Sequence, residues 1–192
     1  MKSAVRERPS KRDHIVREAS RIFYQRGLAI GVDTLIEEVG IAKMTLYKHF
    51  PTKADLIVAC LEYVDERYMA RLQSDIVNAD EPQEKVLAIF DGLKNWFSTP
   101  RFRGCAFVNA ITELADPDHP AHAAVLAHKK KTRAWIAQLL DDCSIADSDL
   151  VARQIAQLIE GAISMAHIEN DPVAADIAKA TARQILQTAT RK

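Results

Sequence analysis

The chain has 192 residues, 26 Lys and Arg balanced by 26 Asp and Glu, and 48% hydrophobic content. That is enough apolar material for one sizeable core, or for a small domain joined to a larger one, and too much for a disordered segment. No apolar run reaches the length of a membrane span, and the N-terminus is a charged stretch without a signal-peptide core, so a soluble, cytoplasmic protein with no membrane partner is expected.

In chain order, Ile15, Ala19, Ile22 and Phe23 give a first helix one apolar face, opened by a Ser10–Asp13 capping box and ended at Gly27. Leu35, Ile36 and Val39 give a very short second helix an apolar edge, and Gly40 can take the left-handed conformation that stops it. Leu46 and Phe50, four apart, point inward from a third short helix and leave Lys43, Thr45, Lys48 and His49 facing out. Pro51 ends this helix, and Thr52 with Asp55 has the capping pattern of a fourth, longer one. Two short helices around a glycine turn fit the helix-turn-helix plan, whose second helix enters the DNA major groove. An ordinary helical hairpin shares the same pattern.

Downstream, helices alternate with proline breaks. A long helix over residues 53–79 ends at Asp80-Glu81-Pro82, and Val86, Ile89, Phe90, Leu93, Trp96 and Phe97 mark the apolar side of the next, broken at Ser98-Thr99-Pro100. A shorter helix from Gly104 to Ala115 precedes Asp116–Pro120, and a further one runs to Cys143. Two more span Ser148 to Ile168 and Pro172 to Thr190. The predicted class is all-α, with three helices in a head, residues 1–52, and six in a body, residues 53–192. In the last two helices, faces rich in small residues, among them Ala162, Ala166, Ala178 and Ala182, suit either a four-helix bundle with a second copy or the chain's own core.

The balanced total hides an asymmetry. Residues 1–53 carry 11 Lys and Arg against 6 Asp and Glu, while residues 54–192 carry 15 against 20. A basic head on an acidic body suits a DNA contact at one end.

The stretch Gly40-Ile41-Ala42-Lys43-Met44-Thr45-Leu46-Tyr47-Lys48-His49-Phe50-Pro51-Thr52-Lys53-Ala54-Asp55-Leu56 resembles, without gaps, the signature of the TetR family of transcriptional regulators. The resemblance implies a homodimer, joined through the last two helices, that sets two recognition helices in successive major grooves of a palindromic double-stranded operator. It implies that Tyr47, Lys48 and Lys53 hold phosphates and that Lys43, Met44, Thr45 and His49 lie near base edges. In the family a Thr or Ser opening the second helix holds a further phosphate, the part that would fall to Thr34. Here the stretch Ala29–Thr34 reads one residue short, with Ile36 where the family favours alanine.

The resemblance also implies a body that binds a small-molecule effector. Tyr63, Tyr68, Trp96, Phe97, Phe102, Phe107, Trp135 and Met165 are the large side chains available to line such a pocket, which would select a small hydrophobic or amphipathic molecule, although core packing would use the same residues. Cys105, in Arg103-Gly104-Cys105-Ala106-Phe107, is similar to a Gly-Cys stretch in a branch of the family with members that respond to oxidants or electrophiles; a buried apolar thiol is the plainer reading. The three cysteines, Cys60, Cys105 and Cys143, have no paired spacing, so thiols are expected and no zinc site. His119, His122 and His128 read as a helix start, surface groups and one pocket candidate rather than a metal site, and Lys129, Lys130 and Lys131 as a solvated face.

Enzyme chemistry finds little support. Glu37 with Glu38, and Asp141 with Asp142, are adjacent on helices and point apart, and no phosphate loop, nucleophile elbow or metal cluster is present. The sequence predicts a regulator without a cofactor, and a repressor over an activator, because blocking a promoter needs no polymerase contact. A helical adaptor that binds protein or a small molecule but no DNA is the competing class.

Overall fold

The computed structural model describes residues 10–191; the charged stretch at residues 1–9 and Lys192 lie outside the described residues. Among the described residues the chain is all-helical: α1 Lys11–Arg26, α2 Val32–Val39, α3 Lys43–His49, α4 Lys53–Asp75, α5 Pro82–Phe97, α6 Ala106–Glu113, α7 Ala121–Asp142, α8 Ser148–Glu169 and α9 Val173–Thr188. An isolated bridge joins Ile145 and Arg191.

The helix ends follow from local chemistry. Ser10 with Asp13, and Thr52 with Asp55, form reciprocal capping boxes that open α1 and α4. Gly27 ends α1 at φ 82°, and Gly40 ends α2 in the left-handed region at φ 75°. α4 stops at Asp75, a turn earlier than its apolar pattern suggests, because residues 76–79 tighten into i to i+3 turns, with Val77 N–H on Ser74 O and Ala79 N–H on Ile76 O.

α1 packs on α2 and α4, so Ile15, Ala19 and Ile22 meet Leu35, Leu46, Phe50 and the first turns of α4 at Leu56 and Ile57 in one core. Seven-residue α3 has too few of its own hydrogen bonds to stand alone, and it is held by burying Leu46 and, just past its end, Phe50. In the body, α5, α7, α8 and α9 pack together around Phe90, Ile136, Leu140 and Ile155, with α4 leaning on α5 and α7. The small-residue faces are spent inside the chain: Ala162 and Ala166 of α8, and Ala175, Ala178 and Ala182 of α9, are all buried. The opposite side of these helices stays apolar at Met165, Ile168, Val173 and Ile177, all exposed.

Candidate nucleic-acid interface and cavity

The turn between α2 and α3 is compact. Gly40 donates to Ile36 O at 3.0 Å, and Ile41 donates to the same carbonyl at 3.2 Å, which closes α2 and turns the chain into α3. With Leu46 and Phe50 buried beneath it, α3 presents the rest of its surface outward. Lys43, Met44, Thr45, Tyr47 and Lys48 border one shallow hollow on that surface. Met44 is 86% and Tyr47 42% exposed. An exposed methionine of that extent has no packing role within the chain and is available to a partner. His49 is half-buried, tilted against Phe50 at 6.4 Å.

Two of the candidate contacts are engaged with the protein itself. Lys43 Nζ donates to Asp33 Oδ1 at 2.8 Å, and this pairing raises its pKa. Lys53 Nζ donates to Leu28 O at 2.5 Å and Ile30 O at 2.7 Å, so two of its three N–H groups brace the turn between α1 and α2. Burial at that joint pulls the Lys53 pKa down, against the attraction of Glu113. Thr34 is exposed in the first turn of α2, whose N-cap, Gly31, offers no side-chain oxygen.

A cavity of about 720 Å³ lies between α1 and the body, with walls from α4, α5, α6, α7 and α8. Of the pocket candidates, Tyr63, Tyr68, Trp96, Cys105 and Phe107 line it. Phe102 and Phe97 pack on the Trp96 side, with Phe102 edge-on to Trp96 at 5.0 Å and tilted against Phe97 at 4.8 Å. Trp135 is half-buried and Met165 is exposed, and neither is among the lining residues.

The polar lining was not legible in the sequence. Arg17, Arg21, Arg67, Arg71, Arg101 and Lys129 border the cavity together with Glu18, Glu160 and His128. The i, i+4 pairs Arg17/Arg21 and Arg67/Arg71 are the signal that could have found them. Lys129 is not part of a solvated face: it is half-buried, with Nζ 2.5 Å from Glu160 Oε1 and 3.5 Å from Cys105 Sγ. His128 is stacked on Phe107 at 3.6 Å and holds Asp65 Oδ1 at 2.6 Å through Nδ1. Its burial lowers its pKa, with the hydrogen bond to Asp65 opposing. Burial alone would push the Asp65 carboxyl up, but hydrogen bonds from Lys131 and His128 outweigh that and hold it below its ordinary range. His119 starts α7 by accepting the Ala121 N–H at 3.1 Å. Burial pushes the Cys60 thiol up to about 12 and raises that of Cys143.

Among the described residues no group of three His, Cys, Asp or Glu side chains is placed to hold a metal ion, and no helix is long and apolar enough to cross a membrane. An exposed short helix after a glycine turn, braced by a three-helix core and joined through one long helix to a cavity-bearing bundle, is the architecture of a helix-turn-helix regulator.

The comparisons agree. The family model for bacterial regulatory proteins of the tetR family matches residues 15–60, and that for the tetracyclin repressor-like C-terminal domain matches residues 82–182. SCO4454, a TetR-family transcriptional regulator from Streptomyces coelicolor, superposes with a TM-score of 0.84 at 30% identity, covering 93% of this chain and 95% of that one. A putative TetR transcriptional regulator from Streptomyces avermitilis MA-4680 gives 0.84 at 27% identity, covering 96% and 100%. The HTH-type transcriptional regulator YjdC of Escherichia coli K12 is 25% identical over 181 residues, 93% of this chain and 95% of the relative. The chain belongs to the TetR family: it is a DNA-binding transcription regulator of helix-turn-helix type, not an enzyme.

Proposed function

We propose that the protein is a cytoplasmic homodimeric repressor that reads a near-palindromic operator with α3 and releases it when a small hydrophobic or amphipathic molecule fills the cavity. The observation that carries this reading is that α1 and α4 serve both ends at once: Ile22 and Leu56 share a buried core with Leu46 of α3, while Tyr24 and Tyr63 line the cavity. In the reading domain, residues 1–52, Lys43, Met44, Thr45 and His49 face base edges, while Thr34, Tyr47, Lys48 and Lys53 meet phosphates. In the body, residues 53–192, α8 and α9 form the dimer contact with the outward face that carries Ile168 and Ile177, since their small-residue faces are already used. The effector shifts the body between two packings and α4 carries the change to the heads, which requires different effector affinities in the two states. Titrating the dimer onto a labelled operator, with and without candidate effectors, tests this. Equal operator affinity under every effector, with an unchanged separation of the heads, contradicts it.

A second reading keeps the fold and makes Cys105 the sensor of an oxidant or electrophile. The observation in its favour is Lys129 Nζ at 3.5 Å from Cys105 Sγ at the cavity wall. On this reading Cys105→Ser abolishes the loss of operator binding under peroxide or quinone, and unchanged sensitivity rejects it.

A further inference from the structure

The charge in the cavity is unevenly matched. Glu18 is engaged by Arg17 at 3.1 Å and Arg21 at 3.2 Å, and Glu160 by Lys129 at 2.5 Å. Among the described residues Arg67, Arg71 and Arg101 form no ion pair, so the lining keeps a surplus of positive charge with no carboxylate to meet it.

Arg71 is the member that matters most. Its guanidinium lies 4.3 Å from the centre of the Trp96 ring and 5.0 Å from that of Tyr68, and its Nε and Nη2 are buried without a hydrogen-bond partner. The two rings attract the cation, but they accept no hydrogen bond from its N–H edge. Asp75, one turn further along α4, acts on it only from beyond ion-pair distance and is itself left with a buried, unpartnered oxygen. Buried donors with no acceptor are destabilising and uncommon in native folds, and these two belong to a side chain that borders a cavity of small-molecule size.

We propose that the cavity takes an aryl carboxylate, its flat apolar body against Tyr68, Trp96 and Phe107 and its carboxylate on the Arg71 guanidinium, which turns toward the lumen so that Nε and Nη2 gain the acceptor they lack. The planar two-oxygen edge of a carboxylate matches the guanidinium fork, and a group that brings both oxygens at once meets both orphaned donors. The aromatic side chains close to the fork favour a ring directly attached to the carboxylate over a flexible alkyl chain. The regulatory consequence rests on the cavity being the effector site; the binding preference stands apart from it.

The test measures binding of 2-naphthoate, its neutral isostere 2-naphthamide, and decanoate to the full chain by calorimetry, with operator affinity followed in parallel. The expected result is that the acid binds at least about tenfold more tightly than the amide and than decanoate. Arg71→Gln should erase the acid-over-amide preference while leaving amide binding within about threefold, and Arg71→Lys should restore part of it. Equal affinities for acid and amide, a preference that survives Arg71→Gln, decanoate binding as tightly as the acid, or no saturable binding of 2-naphthoate at about 1 mM each overturn the proposal. The wild-type acid-to-amide ratio decides the matter even where Arg71→Gln fails to fold. Tight, Arg71-dependent binding of the acid with unchanged operator affinity would sustain the anion site and sink the effector reading. An amide that binds best and releases the operator would do the reverse.

Discussion

The Glu113 carboxylate, at the end of α6, accepts the backbone N–H of Leu28 at 2.5 Å, which ties the helix that starts at the cavity wall to the turn leading into the reading helices. A second tie lies close by: the Tyr24 hydroxyl donates to Gly104 O at 2.9 Å and accepts the Arg103 N–H at 2.8 Å. Head and body are therefore joined by directional bonds on α6 and the loop before it, in addition to the shared helix α4.

Gly27 is the weak point of this joint. It stands at φ 82° and ψ 169°, a region for glycine alone, and a Cβ there would approach Glu113 Oε2 to 2.7 Å. Gly27→Ala should cost on the order of 1–3 kcal/mol. Thermal melting should show this as a fall of about 2–4 °C per kcal/mol. Tyr24→Phe should cost about 1–2 kcal/mol through the loss of its two hydrogen bonds, without altering α3.

On the reading surface, Lys43 and Lys53 should behave differently. Lys43→Ala and Thr45→Ala should change sequence preference with the melting temperature unchanged. Asp33→Asn, which frees Lys43 and removes a negative charge beside α3, should tighten binding to any duplex by about threefold to tenfold. Lys53→Ala should weaken all sequences alike and reduce the salt slope by about one unit. Because Lys53 also holds two carbonyls, it should in addition lose about 1–2 kcal/mol of stability after allowance for partial solvent screening. Filter or anisotropy titrations across a salt series separate these effects.

Much of this architecture is legible in the sequence. The two capping boxes, the glycine at the α2–α3 turn and the proline breaks are local signals, and the helices start and stop close to where those signals lie. The end of α4 is not legible in the sequence because Ile76 and Val77 continue the apolar run, and the turns at Val77 and Ala79 that close it appear only in the fold. The packing of Ala178 and Ala182 against their own core, rather than against a second copy, is a tertiary choice that periodicity cannot express. Arg71 is invisible for the same reason: on a helix written out as sequence it is one more basic residue, and only the meeting of α4 with α5 brings it to 4.3 Å from the Trp96 ring.

The His128–Asp65 pair predicts an acid-sensitive body. His128 has a folded pKa below its ordinary 6.5, so in that window the unfolded chain binds more protons, and stability falls as pH drops from about 6.5 through the folded value. Asp65, also depressed, adds a second loss below its ordinary 3.8. Melting temperature should decline between pH of about 7 and 5, and His128→Gln should flatten that part of the profile.

Ile168 and Ile177 are 73% and 65% exposed in the single chain, on the outward side of α8 and α9. Ile168→Glu with Ile177→Glu should leave the fold intact and convert the dimer to monomer in sedimentation. Operator binding should weaken by at least about a hundredfold, as two linked heads become one. A double variant that remains dimeric would move the interface elsewhere.

The measurement that bears most directly on the account is selection of duplexes bound by the full chain from genomic fragments, followed by titration of the enriched site across a salt series. The account predicts one enriched, near-palindromic motif with half-sites spaced by about a helical turn or a multiple of it, bound by a dimer, with affinity falling steeply as salt rises. Enrichment of no motif, or binding that is indifferent to sequence at every salt concentration, would contradict it.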